Sequence, residues 1–301
     1  MILANVAAAL PGERDFRLVN IFIKGNKIAS IKEADLKKKT DNPLENINSG
    51  ANEATDLHAY DDEEIIDAHG LLAFPGAIDP HVHFDEPGFT HREDFLHGSA
   101  EAARGGVTTI IDMPCTSIPP VISNEALEEK LSIVQKKALI DFGFYGGING
   151  NMTPEHIPEL IASLAPRVLG FKSYFISGMD TFPAVDEAQF AAAAKACGKE
   201  GRPLLLHAED AYVISEATKE RELLRGAQKP QWIDYYASRP MEAEIVAVMK
   251  ALKLAGQYAK YVHIVHIGTA KAAMAAFERG ATCETCPHYL AFDETDFARL
   301  G

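Results

Sequence analysis

The stretch Ile78-Asp-Pro-His-Val-His-Phe-Asp-Glu-Pro-Gly88 closes an apolar run, residues 71–78, that predicts a buried strand. Side chains two apart on a strand share a face. His81 and His83 therefore project together at the strand's carboxyl end, where Pro87-Gly88 breaks it. Two imidazoles on one face supply half of a first-row metal site. Taken alone, His-x-His is equally compatible with two polar residues at a strand end, each satisfied by a hydrogen bond. The histidines further along the chain favour the metal reading.

Downstream, strand signals recur at 108–113, 141–148, 168–175, 203–207, 262–267 and 281–286, after a first strand at 77–84. Helical spacing lies between them, at 95–104, 124–137, 186–195, 241–254 and 270–278. Gly105-Gly106 reads as a helix stop and Ser123 as a helix start. Apolar strands alternating with helices predict a parallel sheet. Seven such units predict an α/β fold of the (β/α)8 TIM-barrel type rather than an open doubly wound sheet. No Gly-x-Gly-x-x-Gly follows any of these strands, so a dinucleotide site has no support. Only seven strands are found before Gly301, and a closed barrel needs an eighth.

Upstream, residues 20–31 alternate around Gly25-Asn26 and predict a hairpin. Residues 33–62 are polar, turn-rich and aperiodic, which predicts a surface loop. The expected domains are therefore residues 1–75 and residues 76–301.

The 301 residues, 47% hydrophobic and 24% charged, are enough for a substantial core. A net charge of −14 without a Lys/Arg block argues against nucleic acid and anionic membrane as partners. No apolar run approaches a membrane span, and Met1 to Leu10 lacks the basic flank of a signal peptide. A cytoplasmic location is expected. Four cysteines are too few for a disulfide framework, and Cys283-Glu-Thr-Cys286 lacks the second pair of a four-thiolate zinc site.

In a parallel barrel, chemistry sits at the carboxyl ends of the strands. Those ends here carry His81 and His83, Lys172, His207, His266 and His288. His263, three before His266, points to the opposite strand face, and His91, His97 and His156 fall in surface or loop segments. An ammonium cannot ligate a metal, but a desolvated lysine has a lowered pKa. Its neutral amine can add carbon dioxide to give a carbamate, whose two oxygens can bridge two cations.

The motifs Asp79-Pro-His-Val-His-Phe, Gly105-Gly-Val-Thr-Thr-Ile-Ile-Asp-Met-Pro, Gly170-Phe-Lys, Leu206-His-Ala-Glu, Val265-His-Ile and Cys283-Glu-Thr-Cys-Pro-His-Tyr-Leu run from about residue 70 onward. Together they resemble the cyclic amidohydrolases of the dihydroorotase, allantoinase and hydantoinase group. The resemblance implies two divalent metal ions, usually zinc. His81 and His83 would hold one, a carbamate on Lys172 would bridge, and His207 with His266 would hold the other. It also implies part of a small β-sandwich in residues 1–75, and hydrolytic opening of a small cyclic amide by a homo-oligomer. The family's acid–base Asp, at the end of an eighth strand, has no counterpart before residue 301.

Within the group the signals divide. Dihydroorotases usually carry an Arg where this chain has Asp85 and an Asn where it has Cys115, both serving the substrate carboxylate. Arg92 could substitute for that Arg. Hydantoinases usually carry a Tyr where this chain has Ser177. Tyr236-Ala-Ser-Arg-Pro and the motif ending in His288-Tyr289 are closest to allantoinases. The resemblance thus places Asp85, Cys115, Ser177 and His288 at the substrate. It favours an allantoinase-like activity, with dihydroorotase as the alternative and a non-catalytic scaffold as a further one.

Overall fold

The computed structural model describes residues 1–34 and 64–300. The chain divides into two compact units, Met1–Ala77 and Ile78–Gly301. The polar loop expected over residues 33–62 lies, from residue 35 on, outside the described residues.

In the first unit, β1 (Ile2–Ala8) pairs antiparallel with β2 (Arg17–Lys24) and parallel with β4 (Ile65–Asp67) and β5 (Leu72–Ala73). β2 and β3 (Lys27–Glu33) form the expected hairpin, with Lys24 opposite Lys27 and Gly25 at φ +61° supplying the left-handed turn. The described residues of this unit form one five-stranded sheet. Val6, Ala8, Val19, Ile21 and Ala68 make its buried cluster.

The second unit alternates strands and helices. Its strands are β6 (Ala77–Val82), β7 (Val107–Asp112), β8 (Asp141–Phe144), β9 (Gly146–Gly147), β10 (Phe171–Tyr174), β11 (Leu204–His207), β12 (Val262–Ile264) and β13 (Thr282–Cys283). Two sheets run β6-β7-β8 and β9-β10-β11-β12-β13, so each strand lies beside its predecessor in the sequence. The pairs from β7·β8 and from β9·β10 onward are parallel, as βαβ units require. Only Tyr145 separates β8 from β9. Its N–H bonds the Asp112 carbonyl, and the next, Gly146, bonds the Gly170 carbonyl. One continuous run of chain thus joins both sheets, and the strands occupy seven positions in chain order. Gly146 and Gly147 are needed there, because a Cβ would lie 2.8 Å from the Phe171 ring and 2.6 Å from the Phe182 ring.

The helices are α1 (Phe95–Arg104), α2 (Asn124–Val134), α3 (Ile157–Leu164), α4 (Glu187–Glu200), α5 (Ala211–Arg225), α6 (Trp232–Ala237), α7 (Met241–Ala255), α8 (Ala270–Glu278), α9 (Pro287–Ala291) and α10 (Glu294–Leu300). Ser123 caps α2 by accepting the Ala126 N–H, as its position predicts. α4 runs past residue 195 to Glu200, where Gly201 at φ +64° provides the left-handed stop. Apolar faces of α3, α4 and α7 bury Ile161, Leu164, Phe190, Ala193, Ala247 and Ala251 in one core with Ile110, Phe171, Leu204 and Leu206 of the strands. No described helix is long and apolar enough to cross a membrane.

Three sequence expectations are corrected. The strand expected over 262–267 ends at Ile264, because His266 takes φ +38° and turns the chain out of the sheet. The strand expected over 281–286 is only Thr282–Cys283. Pro287, pre-set for the first helical position, opens α9, so His288 sits on an exposed helix rather than at a strand end.

Candidate metal centre

β6, β10 and β11 and the segment after β12 bring His81, His83, Lys172, His207 and His266 together. The His81 ring centroid lies 5.3 Å from that of His83 and 5.5 Å from that of His266. The His207 and His266 rings are 4.7 Å apart, with His207 Nδ1 3.0 Å from His266 Nε2. Lys172 follows from β10 being a strand buried on both faces. All four residues of β10 are buried, and its ammonium sits 4.8 Å from the Tyr174 ring centroid. Lys172 is fully buried and its Nζ has no hydrogen-bond partner. An unpaired buried ammonium is costly. Burial accordingly pushes Lys172 down to about 8, against the pull of Cys115 and Glu284.

Two of the four histidines, His83 and His266, are held neutral. Burial, then Lys172 and His207, push His266 down to about 3. His83 keeps part of its surface open to solvent, yet desolvation of its nitrogens and the charges of His81 and Lys172 also push it to about 3. Neutral imidazole is the form that binds a metal.

Two carboxylates orient the cluster from outside. Glu284 Oε1 is 2.5 Å from His81 Nδ1, and Glu209 Oε2 is 2.7 Å from His207 Nε2. Arg239 donates to the same Glu209 oxygen at 2.7 Å. Burial acts to raise both carboxyls. Hydrogen bonds from His263 and His81 outweigh it at Glu284, as those from His207 and Arg239 do at Glu209, so both sit below the usual carboxylate range. Sequence reasoning missed both acids, together with Tyr174, whose ring stacks on His207 at 5.2 Å. A signal existed in each case. Glu209 lies two residues beyond His207, and Glu284 follows directly on the last strand.

The four residues expected at the substrate separate. Cys115 is buried beside the cluster, its sulfur 3.7 Å from His83 Nδ1 and 3.0 Å from the Tyr174 hydroxyl. Asp85 is buried at φ +52° and pairs with Arg92 Nε at 3.1 Å. The Ser177 hydroxyl donates to the Phe182 carbonyl at 2.7 Å and accepts the Met179 N–H, which fastens its own loop. His288, on the exposed surface of α9, is not gathered with the other histidines.

Among the described residues, no group of three or more His, Cys, Asp or Glu is arranged as a ready ligand set for a metal ion. The donor chemistry nevertheless fits one. The cluster offers two neutral imidazoles, His83 and His266, an orphaned buried amine able to become an anion, and the His81 and His207 rings each held at one nitrogen by a carboxylate.

The amidohydrolase family profile matches residues 72–251. The chain belongs to the amidohydrolase family. Among curated relatives, it is 37% identical over 255 residues to an allantoinase of Deinococcus radiodurans, covering 83% of this chain and 55% of that protein. With an allantoinase of Rubrobacter xylanophilus it shares 38% identity over 245 residues, covering 79% of this chain and 52% of that protein. Among solved structures, the L-hydantoinase (dihydropyrimidinase) from Arthrobacter aurescens superposes with a TM-score of 0.80 at 25% identity, covering 100% of this chain and 61% of that one. This amidohydrolase chain thus spans little more than half the length of the curated relatives it matches.

Proposed function

We propose that this chain carries the metal centre of a hydrolase that opens a cyclic amide, with allantoin as the preferred ring. The observation that carries the reading is the Lys172 ammonium, fully buried without a partner among four histidines. In this reading the Lys172 amine, as a carbamate, would be a ligand to two divalent cations, zinc in the first instance. His81 and His83 would hold one cation, and His207 and His266 the other. When bound, the pair would supply an activated water and polarisation of the amide carbonyl. The chain's own part is orientation. Glu284 and Glu209 fix the His81 and His207 rings, and Tyr174 stacks behind His207. The seven strand positions support a TIM-type barrel as the scaffold.

Allantoin over dihydroorotate is supported by Arg92. The guanidinium that could read a substrate carboxylate is already paired with Asp85. The side chains in contact with His83 Nδ1 are Cys115 and Thr116, neither of which is a cation. A ureide ring without a carboxylate suits such neighbours. Of the residues expected at the substrate, Cys115 keeps that role in this reading, while Asp85 and Ser177 are engaged by Arg92 and the Phe182 carbonyl and His288 lies on the exposed surface of α9.

The test is a steady-state comparison of allantoin, dihydroorotate and a hydantoin on the zinc-loaded protein. The expected result is a kcat/KM for allantoin at least about tenfold above that for dihydroorotate, equivalent to about 1.4 kcal/mol of transition-state preference. The reverse order would overturn the substrate assignment. A protein that stays metal-free with an unmodified Lys172 would favour a non-catalytic scaffold.

A further inference from the structure

His263 is the histidine that strand alternation sends away from the cluster, and Glu284 is an acid that no sequence reading used. The structure joins them. Glu284 divides its carboxylate, with Oε1 2.5 Å from His81 Nδ1 and Oε2 3.3 Å from His263 Nε2. The second nitrogen of His263 is anchored in turn, with Nδ1 2.8 Å from the Thr282 hydroxyl. The Glu284 backbone is pinned at both groups. Its N–H donates to the Ile264 carbonyl at 3.0 Å, and its own carbonyl accepts the Ile267 N–H at 2.7 Å. His81 lies on β6 and Glu284 directly follows β13, which are the outer strands of their two sheets. One carboxylate therefore ties those outer strands at the metal candidate.

We propose that Glu284 is a positioning residue, held by His263 and Thr282, that fixes His81 as its Nδ1–H tautomer and leaves Nε2 facing the cluster. A carboxylate can only accept from the imidazole, so its contact puts the proton on Nδ1 and the lone pair on Nε2. The side chains of His81 and Glu284 are 15% and 19% exposed, so little water competes for the bond. Carboxylates that orient metal-binding imidazoles in this way typically set about 10–100-fold of metal affinity. The inference rests on the metal reading of the cluster. Its alternative is a structural tie between two strands, which would shift stability and leave metal affinity unchanged.

The two are separated by titrating the chain and its Glu284→Ala, Glu284→Gln and His81→Ala variants with Co²⁺ alone, read by visible absorption. Imidazole ¹⁵N spectra of the metal-free proteins report the His81 tautomer directly. Glu284→Ala is expected to weaken Co²⁺ binding about 10–100-fold and to lose the Nδ1–H form of His81. Glu284→Gln keeps a carbonyl oxygen for His81 and an N–H for His263, so it should hold affinity to within about threefold and retain the tautomer. Should Glu284→Ala unfold, the Gln variant still decides, because its tautomer and affinity are both measurable. An unchanged tautomer with affinity within about twofold in Glu284→Ala overturns the inference, as does a Gln variant that falls as far as Ala. If His81→Ala loses Co²⁺ and Glu284→Ala does not, the inference fails and the metal reading stands. If His81→Ala binds Co²⁺ as before, the metal reading fails, and the tautomer spectrum alone decides the role of Glu284.

Discussion

Lys130 provides the sharpest energetic test of the fold beneath the site. Its side chain is 1% exposed and pairs at 2.6 Å with Asp112, which is 0% exposed. The same ammonium donates to the Ser117 hydroxyl at 2.6 Å and lies 5.4 and 5.6 Å from the Phe95 and Phe144 ring centroids. Asp112 Oδ1 accepts the N–H of Phe84, which directly follows His83. Ser117 directly follows Thr116, whose hydroxyl is 3.3 Å from His83 Nδ1. Lys130 thus braces both segments that flank His83. Removing one partner of a buried pair leaves the other charge uncompensated and costs about 3–5 kcal/mol. At about 2–4 °C per kcal/mol for a domain of this size, Lys130→Met should lower Tm by roughly 6–20 °C. Asp112→Asn keeps an acceptor for Phe84 but strands the Lys130 charge, and should cost a similar amount. In the double variant Lys130→Met/Asp112→Asn no buried charge remains and the Phe84 acceptor is kept. It should be no less stable than either single variant, a coupling of several kcal/mol. Urea unfolding of all four proteins measures the cycle. Costs that add within about 0.5 kcal/mol, or a Lys130→Met cost below about 1 kcal/mol, would refute the reasoning.

Three further outcomes are expected. A Cβ on Gly150 would stand 2.2 Å from the backbone oxygen of Ala184, whereas one on Gly178 meets nothing within 4 Å. Gly150→Ala should therefore cost at least about 1–3 kcal/mol in a thermal melt, and Gly178→Ala should stay within about 0.5 kcal/mol. Because Arg92 is held by Asp85, Arg92→Ala should lower stability while leaving the allantoin-to-dihydroorotate ratio of kcat/KM unchanged; a selective loss on dihydroorotate would show that Arg92 reads the substrate. Only a neutral amine adds carbon dioxide, and burial lowers Lys172 from 10.5 to about 8. Carbamate formation on the metal-free chain, followed with ¹³C-bicarbonate, should therefore rise as pH passes upward through about 8; a rise that begins only above pH 10 would show an ordinary exposed lysine.

The architecture was legible where local chemistry acts alone. Ser123 caps α2 and Gly25 turns the first hairpin because those residue types meet a local backbone need. The pleat placed His81 with His83, since alternation along a strand is fixed by geometry, and the apolar neighbours of Lys172 marked it as buried. What stayed hidden depends on contacts between segments far apart in sequence or on one backbone exception. Glu284 reads as any acid after a strand until His81, 203 residues away in sequence, meets it. His266 reaches the cluster through a left-handed φ of +38°, which no period predicts, and so its strand looked longer than it is. His288 lies off the cluster because Pro287 starts a helix just beyond the strand signal. The resemblance points to Ser177 at the substrate, but its hydroxyl is taken by the Phe182 carbonyl, a contact within its own loop that no motif encodes. α5 and α6 escaped notice because each buries little, with Ile214 the buried residue of one and Asp234 of the other.

The proposed metal centre of Lys172 and four histidines is tested most directly by incubating the chain with zinc and ¹³C-bicarbonate, then measuring bound metal and the carbamate carbon in the same sample. The expected result is about two zinc ions per chain together with a carbamate signal, both lost in Lys172→Ala. A chain that stays metal-free with an unmodified Lys172, or that binds the same zinc after Lys172→Ala, would contradict it.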